Sequence, residues 1–496
     1  MAERGITRSS ANNKNHRYLK NKMPDTDSMT REERRGKLFS QHNQILWIYW
    51  LVIILGVWMI FSPLTFSYGK SVVFPGGERS LWLTTEARIA AMKWSDIISG
   101  IMLIIFGWRS LRPDRPVSNW MICLTGIWLT TAPLIFWAPN AAAYLNSTLA
   151  GALAIALSVI IPGIPNLVMF VHKGPVVPPG WTYNPSSWPQ RGILILLAFA
   201  GWMVSRYLGA YQMGFIDRIW EPFFGEGSQR VLFSDVSHSL PISDGAMGAY
   251  AYTFEFLMIW VGAPTRWRTM PWIVTIFGIL VIPLGLVHIF LVISQPVLIG
   301  HWCTLCLLAA AIMLPMIPLE ADEVIANIQH LKEAVEKGEN FWVVFFTGGG
   351  PTEVNSDGRS PQIADLPVKP AEVLKSSVWG MSVPWNIGIS AALGLILMFV
   401  PGFFGVPIEK ISANICHLGG ALVIVTSVIS MGEVLRRARY FNILLALIIL
   451  ITPWFLGNTD TGLLTTTTIT GLALLPLALR RGPVKEKYGF WHKYIS

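Results

Sequence analysis

The sequence predicts an all-α membrane protein that crosses the bilayer about twelve times, and three observations carry that prediction. Apolar runs of spanning length recur from Ile45 to Leu479, only 14% of the 496 residues are charged against 52% hydrophobic, and the basic residues fall in short loops between the runs. A soluble domain carries about 25% charged residues, and roughly 20 apolar residues make one membrane-spanning helix. A soluble reading would need an oversized core, so lipid is the better solvent for these runs. The net charge of +9 sits in the short loops, where Lys and Arg mark the cytoplasmic side. No basic folded domain is left over, which excludes nucleic acid as a partner.

The runs fall at 45–66, 94–110, 118–137, 144–163, 191–210, 245–263, 271–296, 300–318, 383–402, 412–430, 439–456 and 461–480. The second is the weakest, being short and carrying Asp96. Residues 1–44 are polar, lack the apolar centre of a secretory signal, and read as a disordered basic cytoplasmic tail. An even number of spans puts both termini on one side, and both are basic: Arg31, Arg34, Arg35 and Lys37 at one end, Arg480, Arg481, Lys485 and Lys487 at the other. Loops on that side carry Arg109, Arg112 and Arg115, then His172 and Lys173, Arg266 and Arg268, and Arg436, Arg437 and Arg439. The opposite loop 207–244 is acidic. This asymmetry places both termini in the cytoplasm, as expected of a multi-pass protein of a prokaryotic plasma membrane.

An internal repeat organises the chain. Trp47, Gly56 and Pro63 recur as Trp385, Gly394 and Pro401 at an offset of 338, and Gly100, Pro133 and Gly151 recur as Gly420, Pro453 and Gly471 at an offset of 320. Gly56 to Pro63 and Gly126 to Pro133 share one spacing, which reads as a duplicated hairpin. Two four-helix units follow, at 45–165 and 383–481. Phe61-Ser62-Pro63 and the run Trp94-Ser95-Asp96 to Gly100 resemble the SPW-repeat family. The small residues allow close helix approach in lipid, and these units read as scaffold. Between spans eight and nine, 321–382 begins with Val324, Ile325, Ile328, Leu331 and Val335 on one face and continues through Gly348-Gly349-Gly350-Pro351 as a linker.

Chemistry concentrates at Cys303-Thr304-Leu305-Cys306. Residues three apart share a helix face, so the two thiols can pair across one turn. They open span eight, and a helix N-terminus or a Cys-x-x-Cys motif lowers thiol pKa toward the reactive range. The predicted orientation puts this end outside, where disulfides persist. Packing cysteines or a metal half-site stay open on spacing alone, although zinc wants four ligands and no second pair exists. Cys123 and Cys416 stand alone in apolar runs as small core residues.

The segment Gln295-Pro296-Val297-Leu298-Ile299-Gly300-His301-Trp302-Cys303-Thr304-Leu305-Cys306-Leu307 resembles the last-helix motif of the vitamin K epoxide reductase family. Arg230 to Ser234, then Gly245, Gly248 and Tyr252, resemble that family's first outer loop and second helix. The resemblance covers about 191–320 and implies a four-helix bundle around a quinone of menaquinone or ubiquinone type. It also implies electron exchange between quinone and cysteines, with a thioredoxin-like partner outside. By this resemblance Cys303 exchanges with the partner thiol and Cys306 faces the quinone. Ser234, Asp244 and Gly248 fall at its quinone pocket, with Ser234 donating to a quinone oxygen; Asp244, just before a helix, also reads as an N-cap. Two features depart from the family. The loop Tyr211 to Ser243 has no cysteine, and Ser228 stands where the second relay cysteine is expected. Ala310 replaces a Tyr of vertebrate members, which argues against vitamin K epoxide as substrate.

Glu255 and His288 lie eight to eleven residues inside spans six and seven, at a common depth by the ~1.5 Å rise per residue, and form a candidate proton path. The retained pair favours a thiol–quinone oxidoreductase. The missing loop cysteines favour a non-catalytic scaffold that binds quinone or a partner.

Overall fold

A computed structural model describes residues 31–69, 81–113, 115–162, 174–350, 352–361, 369–456 and 460–495. The chain is all-α. The principal helices are α1 (Arg31–Gln44), α2 (Leu46–Thr65), α3 (Thr85–Ser110), α4 (Pro116–Ile135), α5 (Ala141–Ile160), α6 (Trp188–Gln212), α7 (Asp244–Trp260), α8 (Pro271–Ile293), α9 (Thr304–Glu336), α10 (Trp385–Phe403), α11 (Ile411–Met431), α12 (Glu433–Phe455) and α13 (Thr461–Leu479). Ten helices among the described residues are long and apolar enough to cross a membrane. The expected spans at 118–137 and 245–263 are the helices α4 and α7, which are not among the ten. Helix α7 has only 17 residues, and α4 carries Asn119, Thr125, Thr130 and Thr131 among its apolar side chains.

The helices meet where the chain has glycine. A Cβ on Gly56 would lie 2.6 Å from the carbonyl oxygen of Gly100, and one on Gly100 would lie 2.5 Å from that of Gly56. Gly126 and Gly151 oppose each other in the same way, as do Gly394 and Gly420, and Gly471 backs onto the Ala446 carbonyl. With no side chain between them the backbones touch, which is how helices gain contact in lipid. Helices α2, α4, α10 and α12 each end two residues beyond a proline, at Pro63, Pro133, Pro401 and Pro453. The glycine and proline offsets of the sequence thus correspond to helix crossings and helix ends.

Three expectations change. The second span is not short: α3 runs 26 residues from its Thr84 cap. Its Asp96 is buried but satisfied, since the Tyr68 hydroxyl donates to Oδ2 and the Ser147 hydroxyl donates to Oδ1 at 3.0 Å. Part of the expected disordered tail is helical, because residues 31–44 form α1 ahead of the first span. The amphipathic segment after span eight is not an element of its own. It continues α9 without a break to Glu336, and Glu320, Asp322, Glu323, Asn327 and Gln329 are buried along it. His172 and Lys173, two of the loop charges used for orientation, lie outside the described residues.

Of those buried charges, Asp322 and Glu323 hold the end of the bundle away from the cysteines, whereas both Glu320 oxygens lack a hydrogen-bond partner among the described residues. Arg266 is fully buried and meets Glu323 through Nε and Nη2, both at 2.6 Å, while its Nη1 donates to the carbonyls of Met258, Ile259 and Val261. Arg191 donates to the Gly262 and Ala263 carbonyls and to Ser186, which itself donates to Glu323. Tyr183 donates to Asp322 at 2.5 Å. The carboxylate of Glu433 gathers the backbone N–H groups of Lys485 and Glu486 and the Tyr488 hydroxyl. Charged groups out of water persist only when paired and hydrogen-bonded, so this network fixes α6, α7, α9 and the C-terminal tail together.

Candidate functional site

At the other end of α9, Cys303 and Cys306 form a disulfide, with their Cα atoms 5.2 Å apart. Gly300 supplies a left-handed turn (φ 75°) between the short helix Gln295–Leu298 and this start. Cys303 is the N-cap of α9, and its sulfur accepts the Cys306 N–H at 3.1 Å. Sequence separation and helix geometry therefore place both sulfurs at the positive end of one helix.

The two cysteines face different surroundings. Cys306 lines a cavity of about 240 Å³ together with Ser205 and Leu208 of α6, Ser234 and Ser237 of the connecting loop, Asp244 and Gly248 of α7, and His288 and Gln295. Leu232, Leu291, Val292 and Ile299 make most of its wall apolar. Cys303 is fully buried (0% exposed) and is absent from that lining. Its neighbour Trp302 shares its apolar core and packs against Phe224, tilted at 6.4 Å between ring centres, and His417 of α11, edge-on at 5.5 Å. Gly227 lets the loop press down, since a Cβ there would fall 2.0 Å from the Trp302 carbonyl oxygen. Cys303 is thus enclosed in the core that holds Trp302 and is not open to the surface.

The remaining sequence candidates divide. Ser234 lines the cavity, but its hydroxyl donates to the Val231 carbonyl at 2.8 Å and caps the short helix Asp235–His238, so its hydrogen is already engaged. Asp244 lines the cavity as the first residue of α7; the N-cap is Ser243, whose hydroxyl accepts the Ala246 N–H. Gly248 keeps room beside Ser205, whose Oγ would lie 3.0 Å from a Cβ. The Nε2 of His288 is buried without a hydrogen-bond partner among the described residues. Glu255 is buried on α7, its Oε2 equally without one, and it is not part of the cavity wall. No hydrogen bond or ion pair joins Glu255 to His288.

Sequence reasoning passed over Gln295 and Glu221. Gln295 lines the same cavity, and its Oε1 is buried without a partner among the described residues; an amide at the end of an apolar helix was the available signal. Glu221 counted only as one of several loop charges. Here its carboxylate receives the Thr304 N–H at 3.0 Å, the Thr304 hydroxyl, the Ser228 hydroxyl, and the backbone N–H groups of Phe223 and Phe224. Although partial burial pushes its pKa up, the hydrogen bonds from Ser228, Thr304 and Phe224 outweigh that and hold it below the usual carboxylate range.

Buried polar groups are hydrogen-bonded as a rule. Two residues that line one largely apolar cavity next to the disulfide, His288 and Gln295, thus each carry a buried polar atom without a partner among the described residues. Comparison with known families agrees in extent. Residues 192–321 match the vitamin K epoxide reductase family. Residues 79–161 and 384–481 match the SPW repeat domain; the first of these matches begins after the Phe61-Ser62-Pro63 triplet. No curated protein and no solved structure matches the chain.

Proposed function

Taking as premise a vitamin K epoxide reductase family domain flanked by SPW repeat domains, we propose that this chain is a membrane thiol–quinone oxidoreductase. The observation that carries the reading is the cavity that Cys306 lines together with His288 and Gln295, whose Nε2 and Oε1 are buried without partners among the described residues. A lipid quinone of menaquinone or ubiquinone type, bound there, accepts two electrons and two protons and leaves as quinol. The dithiol of Cys303 and Cys306 supplies both electrons and both protons as its S–S bond forms. Cys306 is the sulfur turned to the cavity. His288, with its proton on Nε2, donates to a ring oxygen; the Gln295 Oε1 accepts from a ring hydroxyl once the quinone has become quinol. Ser234 joins them only if its hydroxyl turns away from Val231. Asp244 and Gly248 border the ring site, and Glu255 and His288 are the groups we assign to proton movement within the bundle.

Restoring the dithiol falls to a thioredoxin-like protein on the outer side, whose thiolate attacks Cys303 through a mixed disulfide. Because Cys303 is fully buried, this exchange requires a local opening around it. The flanking SPW repeat domains are scaffold: Met398, Ala421 and Val425 of the second pack into the same apolar core as Cys303 and Cys306. In this reading α4 and α7 also cross the membrane, giving twelve spans in three four-helix units, with both termini cytoplasmic.

The test is quinone reduction by the fully reduced chain in lipid. Turnover is expected in the wild type and lost in Cys306→Ser, whose added hydroxyl costs folding only ~1–3 kcal/mol if left unpaired. Turnover retained by Cys306→Ser would overturn the assignment. A wild type that binds quinone but never reduces it would instead establish the non-catalytic scaffold that the cysteine-free loop allows.

A further inference from the structure

A helix N-terminus ordinarily favours a thiolate, because its free N–H groups and dipole stabilise negative charge. At the start of α9 the first of those groups is taken by a carboxylate, and another already serves the Cys303 sulfur. The Thr304 N–H and the Thr304 hydroxyl both go to the carboxylate of Glu221, and the Cys306 N–H goes to the sulfur of Cys303. Glu221 does not reach this position by chance of a mobile side chain. Ser228 and the backbone N–H groups of Phe223 and Phe224 hold it from the loop side, so one carboxylate clasps the loop to the redox helix. The clasp lies one residue from Cys303 in the chain, on the same helix end as both sulfurs.

We infer that Glu221 is a positioning residue that disfavours thiolate at Cys303 and so keeps the Cys303–Cys306 disulfide at a lower reduction potential than a bare helix N-terminus would give. The inference rests on the redox reading of this pair. The sulfur of Cys303, which already accepts the Cys306 N–H, is the one where charge would settle once the S–S bond has taken up two electrons. A fixed negative charge beside it raises the free energy of the thiolate form. Whatever destabilises the reduced form shifts the equilibrium toward the disulfide and lowers the potential. Protonation of both sulfurs, giving two thiols, removes the conflict, so the effect grows as pH rises toward the thiol range.

The experiment equilibrates the full-length chain in detergent, without quinone, against glutathione mixtures of defined ratio, and counts free thiols by alkylation. Glu221→Gln should shift the dithiol–disulfide equilibrium about tenfold toward dithiol, a potential about 30 mV higher, and should lower the pH at which alkylation of the reduced chain reaches half its maximal rate. Glu221→Asp keeps the charge and should stay near wild type in both. Glu221→Ser provides a second neutral variant for the same readings if Glu221→Gln does not fold. An unchanged potential and alkylation profile in a folded neutral variant overturns the inference, whether or not the wild type turns over quinone. A shifted potential in a chain with no quinone turnover upholds it and removes the oxidoreductase reading instead.

Discussion

The ion pair between Arg266 and Glu323 offers a sharp test of how the end of the bundle opposite the disulfide is held. Both side chains are buried, and the pair is doubly hydrogen-bonded at 2.6 Å. Replacing one partner strands the other, which costs about 3–5 kcal/mol, whereas replacing both by apolar residues of like volume is often neutral. The surroundings make the two single replacements unequal. In Glu323→Gln, Arg266 keeps three backbone carbonyls, those of Met258, Ile259 and Val261, and the loss is of charge-assisted bonds, about 1.5–3 kcal/mol. In Arg266→Met, the Glu323 carboxylate keeps, among the described residues, only the donor bond from Ser186, and the three carbonyls lose their donor as well. The full 3–5 kcal/mol applies there. Thermal unfolding in detergent should therefore rank wild type above Glu323→Gln, and Glu323→Gln above Arg266→Met. The double variant Arg266→Met/Glu323→Leu should recover most of the loss. Equal midpoints for the single variants, or a double variant that loses the sum of both, would refute the argument that the pair is held by mutual compensation.

Four other outcomes are expected. His288→Leu and Gln295→Leu should weaken quinone binding, seen as a raised KM with the thermal midpoint kept, since each removes an orphaned polar atom from the cavity; an unchanged KM in both argues against quinone in this cavity. Gly394→Val should lower the thermal midpoint, because even a Cβ would lie 2.7 Å from the Gly420 carbonyl oxygen, an overpacking worth about 1–3 kcal/mol or more; Gly192→Ala, with nothing within 4 Å, is the control and should not. The Glu221 clasp should open in acid: its folded pKa lies below the ordinary 4.5, so its contribution is whole above pH 4.5 and is lost as pH falls through the lower folded value. Hydrogen exchange at the Thr304 amide that is indifferent to that window would contradict this. A reporter fused after Ser496 should be active only in the cytoplasm; activity only outside would reverse the proposed orientation.

Much of the fold was legible because lipid leaves few ways to satisfy a chain. Long apolar runs have to be helices, and where those helices cross, only glycine lets the backbones meet. That is why Gly56, Gly100, Gly394 and Gly420 carried information at fixed offsets. What stayed hidden depended on contacts remote in sequence. Asp96 made α3 look weak because Tyr68 and Ser147, which satisfy it, lie on other segments. The end of span eight looked like a boundary at Glu320, since a run containing Glu320, Asp322 and Glu323 reads as solvated. Arg266, Ser186 and Tyr183 take up two of those carboxylates inside the protein, and α9 continues.

The same distinction separates the two cysteines. Their spacing is enough to give one helix turn and a disulfide, and so the chemistry could be read directly. Which sulfur meets which surroundings could not, because it is decided by Trp302, Phe224 and His417, three aromatic rings from three different parts of the chain. They leave Cys306 on the cavity and enclose Cys303. An electron path from an outer thiol to a membrane quinone needs two faces on one disulfide, since a single sulfur cannot meet both at once. The fold already separates those faces. On the proposed function, the cavity face stands ready and the other face is closed by packing to which the loop contributes through Phe224, Gly227 and the Glu221 clasp. The same loop that helps to enclose Cys303 thus also carries the charge that opposes its thiolate.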